Sequence, residues 1–215
     1  MGEGSSQKSK KQKMRQRLEA LSYEVDNELA DMLLEESERG CVLVSSGFIE
    51  EALEHFLRDK FSRVCTKDKD AEDILIGYNS PLGSFHNRII ACSALGYIDE
   101  GLRNALLEFK RIRNSFAHRS KDNIRPSLSA DKATDLLEKL VVSSENANAV
   151  LEAGDRLNVA SNKHFDQLFA DMEPENNAKV VEKGVALATR VTFILFVLVV
   201  LGTLRPAHSK SRDLS

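Results

Sequence analysis

No proline stands ahead of Pro81, and over that stretch apolar side chains recur every three or four positions, the spacing of a buried helix face and not of a strand. From Leu18 to Glu36 the series runs Leu18, Leu21, Val25, Leu29, Met32, Leu33. It resumes as Cys41, Val44, Phe48, Ile49, Leu53, Phe56, Leu57 and Phe61, with Gly40 as a break between the two runs. With four Pro and eleven Gly in 215 residues, punctuation is sparse along the rest of the chain too. The expectation is an all-α protein, a single-domain bundle of six to seven helices.

Further along, Gly77-Tyr78-Asn79-Ser80-Pro81-Leu82-Gly83-Ser84 reads as a connector, with Ser84 capping a helix over Phe85–Leu95 and Gly96 ending it. A loop feeding a helix N-terminus also suits an anion, so Ser84 and Arg88 are candidate binding residues beside the plain capped-loop reading. The next helix runs from an Asp99 cap to Ala117, its core stripe being Ile98, Leu102, Ala105, Phe109, Ile112 and Phe116. A loop at 121–130, a helix over Ala130–Val142, a weakly patterned connector at 143–175 and an apolar helix over Asn176–Leu204 complete the chain before a polar tail at 205–215. The bounds expected are an arm at 1–17, a helical core at 18–142, the connector, and the last helix packed on that core.

Charge is unevenly placed. Lys8, Lys10, Lys11, Lys13, Arg15 and Arg17 against Glu3 give the stretch 1–18 a charge of +5 in a chain of net −3, so the rest carries −8. Such a start cannot bury enough apolar surface to order itself. It reads as a solvated tail or as an arm for nucleic acid or an acidic partner, with Lys10, Lys11 and Lys13 as candidate contacts. The acidic body suits duplex DNA poorly. Cys41, Cys65 and Cys92 form no CxxC pair and read as buried thiols in a reducing compartment. No secretory segment stands near the start, so a cytoplasmic protein is expected. The acidic run at 67–73 lacks the glycine and the twelfth ligand of a calcium loop, where Asp73 and Asn79 stand. Without metal-site spacing, a carboxylate pair or a phosphate-binding glycine signature, neither metal nor cofactor is expected.

Val191–Leu204 is uncharged but short for a bilayer, and a longer span takes in Arg190. A buried helix is expected; a membrane anchor is the alternative.

The end of the Asp99 helix carries the sharpest chemistry. At about 100° per residue from Leu102, Arg113 lies at about 20°, flanking a stripe centred at about 315°. Asn114 and His118 share the polar side, at about 120° and about 160°. Histidine to move a proton, arginine to hold a phosphate and a polar neighbour are what metal-independent RNA cleavage requires. The simpler reading is structural: Lys110, Arg111, Arg113, His118 and Arg119 are cations at a helix C-terminus. For catalysis, the helix end would have to unwind or a partner subunit face it.

Pro81-Leu82-Gly83-Ser84-Phe85 with Arg88-Ile89, Ala94-Leu95-Gly96-Tyr97-Ile98, and Arg111-Ile112-Arg113-Asn114-Ser115-Phe116-Ala117-His118 resemble the mannitol operon repressor (MltR) family over about residues 20–120. Arg190 and the closing helix resemble that family's last helix. The resemblance implies a self-associating, all-helical regulator of repressor type without a helix-turn-helix. Its operon and ligand do not carry over, because the basic arm and residues 121–175 depart from the family. The Arg-x4-His ending also resembles the HEPN superfamily, whose nucleases place this motif at a dimer cleft; on this chain it implies Arg113, Asn114 and His118. The expectation is a homodimeric regulator working through a protein partner or nucleic acid, with Ser84, Arg88 and Arg111 among its contacts. A metal-independent endoribonuclease and a membrane-anchored interaction module are the alternatives.

Overall fold

The computed structural model describes residues 27–62, 75–77, 79–118, 126–141 and 177–204, together with Ala153, Gly154, Leu157 and Asp166. The chain is an all-α bundle; among the described residues there are six helices and no strand. They are α1 (residues 27–35), α2 (Glu38–Ser62), α3 (Phe85–Ala94), α4 (Glu100–Ala117), α5 (Ala130–Leu140) and α6 (Asn177–Leu204). The arm at 1–17, the start of the first apolar run, Cys65, most of the 143–175 connector and the 205–215 tail lie outside the described residues.

Local chemistry sets the helix ends. Ser84 accepts from the Asn87 N–H at 3.1 Å, Asp99 from Leu102 at 2.7 Å and Ser129 from Lys132 at 3.3 Å, each filling one orphan donor of a first turn. Gly96 adopts φ +69°, the left-handed conformation glycine accommodates best, while the Tyr97 N–H reaches back to the Cys92 carbonyl at 2.8 Å. The break between α1 and α2 falls at Glu36–Ser37 and not at Gly40, which sits in the first turn of α2. Ser37 is the reason: its hydroxyl accepts from the Gly40 N–H at 3.0 Å and its carbonyl from Cys41 at 2.7 Å.

The bundle closes around Phe109 of α4. Its ring meets Phe85 of α3 edge-on at 6.2 Å, and Phe193 and Phe196 of α6 at 6.0 and 5.6 Å. α6 packs along α5 and α2, α5 along α4, and α2 against α3 and α4. The apolar run of α6 is thereby buried from Phe193 to Leu201, apart from half-buried Leu195. Its N-terminal half is the more exposed, with Val181 and Val185 facing solvent.

Arg190 explains how a charge sits beside this core. Its Nη1 donates to the carbonyls of Leu34 at 2.9 Å and Glu36 at 2.8 Å, the orphan acceptors at the end of α1. One guanidinium thus docks α6 onto the α1–α2 corner. Val181–Leu204 is nonetheless long and apolar enough to cross a membrane by length and composition, and half of its most apolar window is buried within the bundle.

Candidate functional site

α2 carries a polar file in which Ser46, Glu50, Glu54 and Arg58 follow one another at intervals of four, stacked on one face of the helix. The Ser46 hydroxyl donates to Glu50 Oε1 at 2.9 Å, and Arg58 Nε donates to Glu54 Oε1 at 3.1 Å. Against this file stand two arginines from other helices. Arg113 of α4 places Nη2 3.1 Å from Glu50 Oε1, and Arg88 of α3 places Nη2 2.7 Å from Glu54 Oε2. Two carboxylates and three guanidinium groups therefore form one continuous seam across α2, α3 and α4.

Arg88 is the innermost member, with a relative exposure of 8%. Nε donates to the Leu82 carbonyl at 2.9 Å, Nη1 reaches the Glu50 carbonyl at 3.4 Å, and Nη2 reaches the Ile76 carbonyl at 3.4 Å as well as Glu54. A fork of five donors can serve three chain segments at once, as lysine cannot. Arg88, a candidate binding residue from the sequence, is occupied inside the chain.

The other candidates fall as follows. Ser84 is an exposed helix cap, and the amides around it are engaged: Asn87 by its hydroxyl, Arg88 by its carbonyl at 3.0 Å, and Gly83 by the Ser80 carbonyl at 3.0 Å. That is the capped-loop reading of this segment. Arg111 is exposed and pairs with Glu108 at 2.8 Å. Lys10, Lys11 and Lys13 lie outside the described residues.

The α4 terminus differs from its helical-wheel projection. Arg113 and Asn114, expected on separate faces, are joined: Arg113 Nη1 donates to Asn114 Oδ1 at 3.2 Å. A long arginine bends along the surface to its neighbour, which a wheel of Cβ directions does not register. Asn114 lies in the last turn of α4, and His118, expected on the same face, is the residue just past the end of that helix. His118 is the C-cap residue, with extended dihedrals of φ −93° and ψ 136°, an exposed side chain, and its N–H on the Asn114 carbonyl at 3.2 Å. The last turn of α4 contains no basic residue, so of the cations expected at the helix end Arg113 is drawn sideways onto Glu50.

Cys41 and Cys92 are buried free thiols, as the sequence implied. Burial pushes each up to about 12, from 9.0, against the opposing pull of Arg190 on Cys41 and of Lys60 on Cys92. They are poor nucleophiles. Among the described residues no group of three His, Cys, Asp or Glu side chains is placed to hold a metal.

Ser46, Glu50 and Glu54 were missed by motif reading. Their signal was present in the fourfold spacing on the polar face of α2, a pattern shared with ordinary solvated helices. No family model, curated protein or solved structure matches the chain.

Proposed function

We propose that the chain is a self-associating helical regulator of the mannitol-operon-repressor-like type, acting in a reducing compartment through protein or nucleic-acid contacts. One observation carries this reading: motif residues Arg88, Arg113 and Asn114 are bonded within the chain across the α2–α3–α4 seam, with Arg113 on Glu50 at 3.1 Å. A guanidinium neutralised by a neighbouring carboxylate is a weak phosphate clamp, and His118 stands beyond the helix end. The motif then serves to fix the bundle whose surfaces meet partners. Inert thiols suit a protein kept reduced.

The test is a gel shift with duplex DNA and with RNA, using full-length protein with and without residues 1–18, beside identification of proteins that co-purify with it. Binding by the full chain, or a stoichiometric partner, is expected. If no nucleic acid is shifted and no protein co-purifies at stoichiometry, the regulator reading falls.

A further inference from the structure

Between α1 and α2, next to the C-terminal end of α6, runs a groove of about 400 Å³. Leu29 and Met32 of α1, Phe48 of α2 and Leu201 of α6 give it an apolar lining. Met32 and Phe48 are 38% and 39% exposed, large apolar side chains left in water. Each helix also contributes an exposed carboxylate, Glu28 from α1 and Glu51 from α2, the latter 3.6 Å from the imidazole of His55, which lines the groove beside it. An apolar trough with a negative charge on each wall fits a helix-forming segment that has an apolar stripe and a cation on both flanks.

This chain contains such a segment. Taking Met14 as zero at about 100° per residue, Leu18 and Leu21 fall within about 40° of it, one on each side. Lys11 and Arg15 flank that stripe on one side, at about 60° and about 100°. Lys10 and Arg17 flank it on the other, at about −40° and about −60°. The described residues begin at 27, beside groove residue Glu28, and the stretch 1–26 ahead of them includes this segment. In the sequence the apolar period of α1 runs back through Val25, Leu21 and Leu18, and a helix following that period would lead away from the groove that α1 itself walls. Two such extensions laid antiparallel would each present residues 10–21 to the groove of the other. That contact is reciprocal and closes on itself as a two-fold dimer.

We propose that the α1–α2 groove is the docking site for residues 10–21 of a second copy, with Met14, Leu18 and Leu21 on its apolar lining and the flanking cations on Glu28 and Glu51. The inference rests on the self-association reading and names its surface. It also gives the +5 start of the chain an acidic partner within the −8 remainder.

Mass against concentration, by light scattering on full-length protein, tests it. The parent is expected to dimerise, more weakly as salt rises. Lys10→Glu with Lys11→Glu and Arg17→Glu, or Glu28→Lys with Glu51→Lys, should each weaken dimerisation tenfold or more, and the chain carrying both sets should recover it. Glu28 and Glu51 are exposed, so an unchanged melting midpoint for the groove variant reports an intact fold. A parent that stays monomeric up to about 1 mM overturns both the groove and the self-association reading. Dimerisation unaffected by either set, or not recovered by the combination, overturns the groove alone.

Discussion

Arg88→Met removes the side chain that joins α2, α3 and the Ile76–Leu82 segment while keeping an apolar stem of similar length. Four contacts go: the Glu54 pair at 2.7 Å, the Leu82 carbonyl at 2.9 Å, and the longer Glu50 and Ile76 carbonyl contacts at 3.4 Å. Breaking a buried ion pair by removing one partner costs about 3–5 kcal/mol. Here Glu54 is one-third exposed and keeps Arg58 at 3.1 Å, so the loss is placed lower, at about 2–3 kcal/mol. For a chain of this size that lowers the melting midpoint by roughly 4–12 °C. Thermal unfolding followed by circular dichroism, beside urea titration, measures it. Arg88→Lys should restore only part, because an ammonium keeps the charge on Glu54 but cannot fork to three carbonyls. In a double-mutant cycle Glu54→Gln should show coupling to Arg88→Met. A loss below about 0.5 kcal/mol, the range of ordinary surface substitutions, would refute the assignment of Arg88 as a structural tie.

Two further outcomes are expected. Arg190→Leu leaves the Leu34 and Glu36 carbonyls without their charged donor; the expected loss is about 1.5–3 kcal/mol, with hydrogen exchange rising first in α1, and uniform protection across α1 would count against the docking role. The thiols make stability fall at high pH. With folded values raised from 9.0 to about 12, the unfolded chain loses these protons first, so stabilisation is complete below pH 9 and declines as pH rises toward 12, by about 1.4 kcal/mol per unit for each thiol. Urea midpoints at pH 8 and pH 10 should diverge in the parent and converge in Cys41→Ala with Cys92→Ala; equal divergence in both would sink the attribution.

Most of the fold was legible because its determinants are local. Asp99 and Ser84 cap helices where their sequence positions imply, and the Ile98–Phe116 stripe faces the core. What the sequence hid is long-range. Arg190 reads as a charge interrupting an apolar run, and only the folded chain shows that its partners are the carbonyls of Leu34 and Glu36, at the far end of the sequence. Conformational freedom points to Gly40 for the α1–α2 break, while a serine cap decides it three residues earlier. At the candidate site the wheel locates Asn114 and His118 by direction alone. The length of Arg113, the end of the helix at Ala117 and the nearby carboxylate of Glu50 determine which groups meet. Glu50 and Glu54 carry no motif, and their role arises from helices distant in sequence.

Whether Arg113 and its neighbours hold the bundle together or cut RNA is decided most directly by incubating the full-length protein with structured RNA in chelator, beside Arg113→Ala and His118→Ala. Intact RNA with all three proteins, and a lowered melting midpoint for Arg113→Ala, is the result expected of a structural tie. Cleavage by the parent that both substitutions abolish would contradict it.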